Sequence, residues 1–220
     1  MTPVRDVAGQ QLDGLIARLT CLDHNPLRFV VVEGDSVDNT WGELLDWQNR
    51  DSRVRLVGHP TGKARFGHVV SVERFRHLAG IINAGIEMAL ADDWADYVMC
   101  IPSDVAFDPD LVTRLLKTGK DFVSPMFWTE ENNTLRFYDI WAWSRNGMNV
   151  GAYNFTWYQT NFPDQLVEMD TVGGCVMMKA DLLRAGLRYS ETNLDRGLCE
   201  QARSMGQVVW ADPTTHIVHL

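Results

Sequence analysis

Three features of the sequence predict an α/β fold built on a mostly parallel central sheet. Apolar runs alternate with helix-period segments along the first 126 residues. The apolar runs are continuous rather than alternating, as in strands covered on both faces. The connections between them are short, the pattern of a sheet wrapped by helices. The 220 residues fit one such domain. Hydrophobic residues at 45% and charged residues at 22% supply enough apolar material for a single core.

The elements follow in order. Leu12, Leu15, Ile16, Leu19 and Leu22 recur at helical spacing. Arg28-Phe29-Val30-Val31-Val32 reads as a buried strand ending in the acidic turn Glu33-Gly34-Asp35-Ser36. A short helix is predicted over 40–49 and a strand over 54–57. Phe75, Leu78, Ala79, Ile82, Ile86 and Ala89 mark the core face of a long helix over 72–90. Residues 97–101 predict a strand closed by the turn Pro102-Ser103-Asp104. Asp108 as N-cap and Pro109 at the first helical position start another helix. A strand over 122–125 follows, and then residues 127–165 break the rhythm as an aromatic-rich insertion. Beyond it, 171–178 is expected as a strand, 180–185 and 195–205 as helices, and 208–210 and 217–218 as two short strands. Only Met1-Thr2-Pro3-Val4-Arg5-Asp6 precedes the first helix. The first strand is therefore expected to be unusually short, unless the true start lies upstream.

Composition narrows the function classes. A formal charge of −9 argues against a broad electrostatic footprint on nucleic acid, while leaving room for a local basic groove. Cys21, Cys100, Cys175 and Cys199 are scattered, with no CxxC pair, and read as thiols in a reducing compartment. No apolar run approaches the roughly 20 residues of a membrane span, and the amino terminus does not read as a signal peptide. A cytoplasmic protein is expected.

Ligands of open α/β sheets bind outside the carboxyl ends of the strands. On that edge stand Glu33, Asp35 and Asp38 after one strand, and Ser103-Asp104 after another. Pro3 and Arg5 end the first strand there and join them as donor-side candidates. A carboxylate in such a place can hold a divalent cation, which in turn neutralises a diphosphate; Asp104 serves equally well as a turn former. On the long helix, Arg76, Gly80, Asn83 and Glu87 form a second stripe, from which Arg76 reaches toward a phosphate and Asn83 toward a base or ribose. The alternative is a solvated helix face. Residues 127–162 contain half of the chain's aromatic rings, including Trp128, Tyr138, Trp141, Trp143, Trp157 and Tyr158. Such rings stack on sugars and nucleobases, or simply pack.

Five segments resemble nucleotide-sugar glycosyltransferases of the GT-A fold, and the carboxyl half is most similar to the fungal mannan-polymerase mannosyltransferases. They are the acidic turn Val32–Thr40, the helix segment Arg76–Asn83, Ile101-Pro102-Ser103-Asp104-Val105, the stretch Glu168–Asp181 with its Gly173-Gly174 pair, and the run from Asp195 to Val218-His219-Leu220. The resemblance covers most of the chain. It implies a nucleotide-sugar-binding half over 1–126 and an acceptor and catalytic half over 127–220. It implies that Asp104 and His219 hold Mn²⁺ or Mg²⁺ together with the donor diphosphate. It sets Asp195 at the position that in inverting relatives removes the acceptor's proton, with a helix-terminal charge as the plainer reading. The mannan-polymerase relatives are retaining, so the resemblance leaves the stereochemistry open. Trp128, Asp139, Trp143, Asp170, Gly173 and Gly174 are expected on the acceptor or sugar side. The chain departs from the Asp-x-Asp metal motif at Pro102, which predicts a weaker or rearranged donor site.

The implied activity is metal-dependent transfer of a hexose from a GDP- or UDP-sugar to a hydroxyl. A carbohydrate or protein acceptor is favoured over a hydroxymethylated DNA base. A nucleotidyltransferase is a rival, although 3–9 make a poor Gly-rich basic loop. A non-catalytic sugar- or nucleotide-binding module is another, and Pro102 is its best argument.

Overall fold

In a computed structural model, residues 1–62, 66, 70–132, 134–150, 162 and 164–220 are described. Strand and helix alternate through the first part: β1 (Thr2–Val4), α1 (Gln10–Thr20), β2 (Phe29–Glu33), α2 (Thr40–Arg50), β3 (Val54–Gly58), α3 (Val72–Leu90) and β4 (Tyr97–Cys100). Each forms where its residues dictate. All five residues of β2 are buried, as its unbroken apolar run requires. Leu12, Leu15 and Leu19 make the buried stripe of α1, each contributing about 1.5–3 kcal/mol by leaving water. Ser71 caps α3, its Oγ accepting from the Arg74 N–H at 3.2 Å.

β1, β2 and β3 pair in parallel, with Thr2 opposite Val31 and Val31 opposite Leu56. Two backbone bonds carry the sheet across to β4: the Met1 amine donates to the Met99 carbonyl at 2.7 Å, and Ile101 N–H donates to the Met1 carbonyl at 3.0 Å. Beyond β4 come β11 (Val176–Lys179), β6 (Phe122–Glu131), β12 (Val209–His219) and β10 (Val167–Met169), in that order. β11 runs antiparallel to both its neighbours, β6 and β12 are parallel to each other, and β10 is antiparallel to β12. The central strands β3, β2, β1, β4, β6 and β12 therefore share one direction. The sheet is mostly parallel, with β11 inserted against the grain. β5 (Val105–Phe107) and β7 (Thr134–Phe137) flank β12 and β6, and β8 (Ser144–Arg145) pairs with β9 (Met148–Asn149). α4 (Leu111–Lys117), α5 (Ala180–Arg184) and α6 (Leu194–Ser204) complete the fold. Among the described residues no helix is long and apolar enough to cross a membrane.

Four expectations about elements change. The helix expected from Asp108 begins at Leu111, because Val105–Phe107 is drawn into pairing with β12 and the Asp108 carbonyl closes a turn onto Leu111 N–H. The strand expected over 171–178 is confined to Val176–Lys179: Gly174 at φ 82° interrupts the extended backbone. The two short strands expected at the carboxyl end are one, β12, whose register against β6 shifts between Asp212 and His216. The strand expected over 122–125 extends to Glu131, carried on by pairing with β12 and β7. The short first strand is found as expected. Trp157 and Tyr158 lie outside the described residues.

At the amino end of the strands a cavity of about 490 Å³ lies by Met1, between Phe29–Val30 of β2 and Tyr97–Met99 of β4. β1 has three residues and β2 has five. Arg28, stacked on Trp94 at 4.3 Å and bonded to Asp92, lines it among mostly apolar side chains.

Candidate active site

The acidic turn after β2 is braced from within. Asp35 stands at φ 60°, and its carboxylate accepts from Thr61 N–H at 3.0 Å, from the Thr61 hydroxyl at 2.5 Å and from Gly62 N–H at 2.9 Å. The buried Glu33 carboxylate accepts from Ser36 N–H at 2.7 Å. Asp38 holds the Thr40 hydroxyl at 2.6 Å and the Ala8 N–H at 3.1 Å, tying this turn to the one after β1. Pro3 lies within β1 opposite Val32, and Arg5 follows it, 3.6 Å from Asp6. Beside this turn a cleft of about 260 Å³ is lined by His59, Thr61, Phe66, Arg76, His77 and Gly80. Arg76 is exposed and sits 3.4 Å from Glu191. Asn83 is not available to a nucleotide. Its amide donates to the Tyr189 carbonyl and its oxygen accepts from Tyr189 N–H, both at 3.0 Å, which clamps α3 to the segment before α6.

Asp104 and His219 come together as expected. The turn after β4 presents Ser103 and Asp104, and β5–β12 pairing sets His219 opposite Val105. Leu220 N–H then donates to the Asp104 carbonyl at 2.9 Å. His219 Nε2 lies 3.3 Å from Asp104 Oδ2, with the Asp104 side chain 60% exposed. The Tyr138 ring stacks on the His219 imidazole at 4.1 Å and 14°, fixing its plane. Among the described residues no three His, Cys, Asp or Glu side chains converge. The donor set is one carboxylate and one imidazole, which fits a manganese- or magnesium-type cation that takes its other ligands from phosphate oxygens and water.

A second pair of acidic groups flanks the Gly173-Gly174 floor. Asp139 Oδ1 accepts from Trp141 N–H at 2.9 Å and Ala142 N–H at 2.8 Å, an Asx turn that leaves Oδ2 turned inward. A Cβ on Gly173 would stand 2.7 Å from that Oδ2, 3.1 Å from the Asp195 Cγ and 2.5 Å from the Ala142 Cβ. Only glycine fits. A Cβ on Gly174 would collide with the Phe127 ring. Trp143 Nε1 donates to the Gly173 carbonyl at 3.2 Å from behind. Asp195 lies in the first turn of α6. It is preceded by Leu194 at φ 44°, a strained conformation for a branched side chain, held by bonds exchanged with Ser190. Burial, reinforced by the charge of Asp139, pushes the Asp195 carboxyl up to about 7, against the pull of the Gly174 N–H. Burial also raises Asp139, opposed by the N–H groups of Ala142 and Trp141.

Other expected residues act elsewhere. Trp128 at 3% exposure and Trp143 at 0% are core side chains, both packed edge-on against Phe137, and neither offers a face to a sugar. Asp170 accepts from Gly147 N–H at 2.7 Å and lies 3.6 Å from Arg203, so it anchors the β8–β9 hairpin. Arg74 joins the site without having been singled out from the sequence, and Tyr138 and Trp141 join it from among the aromatic candidates. Tyr138 backs His219. Arg74, in the first turn of α3, lowers the proton affinities of both Asp195 and Tyr138. Trp141, 63% exposed, is turned outward by the Asx turn at Asp139. The Asp-x-Trp spacing was the available signal for Trp141. For Arg74 it was the position three residues after a capping serine, where a helix amino terminus faces the strand ends.

Solved structures share this fold. A mannosyltransferase from Pyrobaculum calidifontis, PcManGT in complex with GDP-Man and Mn²⁺, is 14% identical with a TM-score of 0.62, covering 99% of this chain and 55% of that one. GalNAc-T7 with UDP, GalNAc and Mn²⁺ is 10% identical with a TM-score of 0.65, covering 99% and 42%. TarS residues 1–349 from S. aureus in complex with UDP is 12% identical with a TM-score of 0.57, covering 99% and 56%. The chain thus spans about half the length of these proteins, and at such identities the likeness speaks for the fold, which is GT-A. A search of curated proteins gave no match. The sequence itself matches the model of "Glycosyl transferase family 2" over residues 3–187. With the acidic turn, the glycine floor and its flanking carboxylates all on one sheet edge, that match makes the chain a glycosyltransferase of family 2.

Proposed function

We propose that this enzyme transfers a hexose from a GDP- or UDP-sugar to an acceptor hydroxyl, with Asp195 as general base and Asp104 and His219 holding Mn²⁺ or Mg²⁺. One observation carries the reading. The consecutive residues Tyr138 and Asp139 join two subsites: Tyr138 stacks on His219, and Asp139 faces Gly173 opposite Asp195. A diphosphate near Asp104 and His219 would bring its sugar toward the glycine pair, against which Asp139 and Asp195 pack.

In this reading the acceptor hydroxyl lies within hydrogen-bond reach of Asp195 and gives its proton to that carboxylate. Its oxygen bonds to the anomeric carbon as the bond from that carbon to the diphosphate oxygen breaks, and the nucleoside diphosphate leaves. Direct displacement inverts the anomeric centre. When bound, the cation would offset negative charge on the diphosphate, and Arg74 adds a fixed positive charge beside the base. The acidic turn and the 260 Å³ cleft serve the base and ribose. Pro102 offers no carboxylate, so the cation relies on two protein ligands and the donor.

GDP-mannose comes first among donors to test, from the mannosyltransferase-like carboxyl half and the GDP-Man bound by PcManGT; UDP-sugars come next, from the UDP held by TarS and GalNAc-T7. For the acceptor, exposed Trp141, Ile140 and Met148 offer an apolar face beside Asp139 that suits a sugar ring or glycosylated peptide, with hydroxymethylated DNA as the alternative. The test is release of nucleoside diphosphate from each donor with Mn²⁺ or Mg²⁺, then transfer to oligosaccharides, peptides and hydroxymethylated DNA, with the anomeric configuration of the product determined. No release from any donor would sink the reading. Transfer to DNA alone would overturn the acceptor, and a retained configuration would remove Asp195 as base.

A further inference from the structure

The Asp139 carboxylate is placed in a way that acceptor binding alone does not explain. One oxygen is fully engaged by the Trp141 and Ala142 N–H groups. The other lies 2.7 Å from where a Cβ on Gly173 would stand, and the Asp195 Cγ lies 3.1 Å from the same point. A hydrogen-bonding partner for a sugar would gain nothing from facing another acid at such range. Two carboxylates brought together out of water do not both ionise easily, and one retains a proton to higher pH.

We propose that Asp139 is a positioning residue for Asp195: its charge, fixed by the Asx turn and aimed across Gly173, strengthens Asp195 as a proton acceptor. The inference rests on Asp195 being the base. The surrounding groups come from every element packed there. Arg74 of α3 and Arg196 of α6 pull proton affinity down. Cys100 of β4, Tyr189 of the preceding loop and Cys199 of α6 are raised by burial, and stay neutral at pH 7. Tyr138, raised by burial and by the charges of Asp104 and Asp139, is neutral as well. Among the described residues, Asp139 is the negative charge that raises Asp195.

The geometry also explains Gly173. The floor has no side chain because an added methyl would separate the two carboxyls. A base of raised proton affinity takes the hydroxyl proton more completely as the new bond forms, and it must itself be ionised to act. Activity should therefore rise with pH through the titration of the pair.

The experiment compares wild type, Asp139→Asn, Asp139→Ser and Asp195→Asn by two readouts: kcat/KM from pH 5 to 9, and ¹³C-carboxyl NMR titration of aspartates in the ligand-free protein. Asn and Ser at 139 both retain an oxygen that accepts from the turn, which guards against misfolding. Both substitutions should move the Asp195 titration and the acid limb of the profile to lower pH, by about one unit for loss of a close like charge. Turnover on the plateau should fall several-fold. An Asp195 titration that stays in place in both variants overturns the proposal. If Asp195→Asn keeps wild-type turnover, the base assignment fails instead, and the NMR shift still decides whether Asp139 controls Asp195.

Discussion

The two ends of the same sheet differ in a way that separates a hollow from a site. The amino end holds a cavity of about 490 Å³, and the cleft beside the acidic turn at the carboxyl end is about 260 Å³. Yet the larger hollow is lined mostly by apolar side chains, and among its charged residues Arg28 has Trp94 and Asp92 as partners. At the carboxyl end polar groups converge from β4, β12, the loop after β7 and α6. One of them, Asp195, is held away from its ordinary proton affinity. Volume alone marks a hollow; converging polar groups mark where chemistry is possible.

The sharpest way to break this contrast is Asp195→Asn. Turnover should fall by about 10² to 10⁴ while donor affinity holds; steady-state kinetics and nucleotide titration measure the two separately. Full turnover would leave the carboxyl end with no special claim. Next, Asp104→Ala and His219→Ala should each remove metal-dependent nucleotide binding. In wild type, nucleotide with manganese at about 100 times the dissociation constant should add roughly 2.7 kcal/mol in thermal unfolding, and that gain should vanish in both variants. Gly173→Ala should cost about 1–3 kcal/mol in urea unfolding, since its methyl must displace Asp139 or Ala142, and should slow turnover as well.

A pH effect on stability follows from Asp195. Its folded value near 7 lies above the unfolded carboxylate range. Its contribution is therefore fully present below the unfolded value and is lost as pH rises toward and through 7. Unfolding midpoints of wild type should fall relative to those of Asp195→Asn over that interval, and parallel curves would contradict the assignment. The smallest effect is expected at the other end of the sheet. Arg28→Ala should leave turnover unchanged with a slight loss of stability, because its partners are exposed. A loss of turnover there would dissolve the contrast.

The sequence carried the sheet well because β2, β3 and β4 declare themselves by local apolar runs. It carried Asp104, His219 and the glycine pair through resemblance, and the pairing of β5 with β12 joins the first two. It failed where a polar side chain's partner is distant in sequence. Asn83 looked free for a nucleotide because Tyr189, which occupies it, is 106 residues away. It failed also where aromatic density was read as accessible surface: Trp128 and Trp143 are buried by β6 and β7, whose pairing no local pattern announces. Trp141 differs from them by an Asx turn two residues upstream.

The Asn83–Tyr189 clamp bears on how the enzyme comes into being. It joins a helix formed early in the chain to the segment that delivers Asp195. Closing a loop of that length costs entropy that a pair of hydrogen bonds does not recover alone, so the clamp depends on the packing of the elements between its two ends. Loosening of 187–195 alone would disarm the enzyme without melting its sheet. Hydrogen exchange at the Tyr189 amide reports on that event directly, as a local opening that precedes global unfolding.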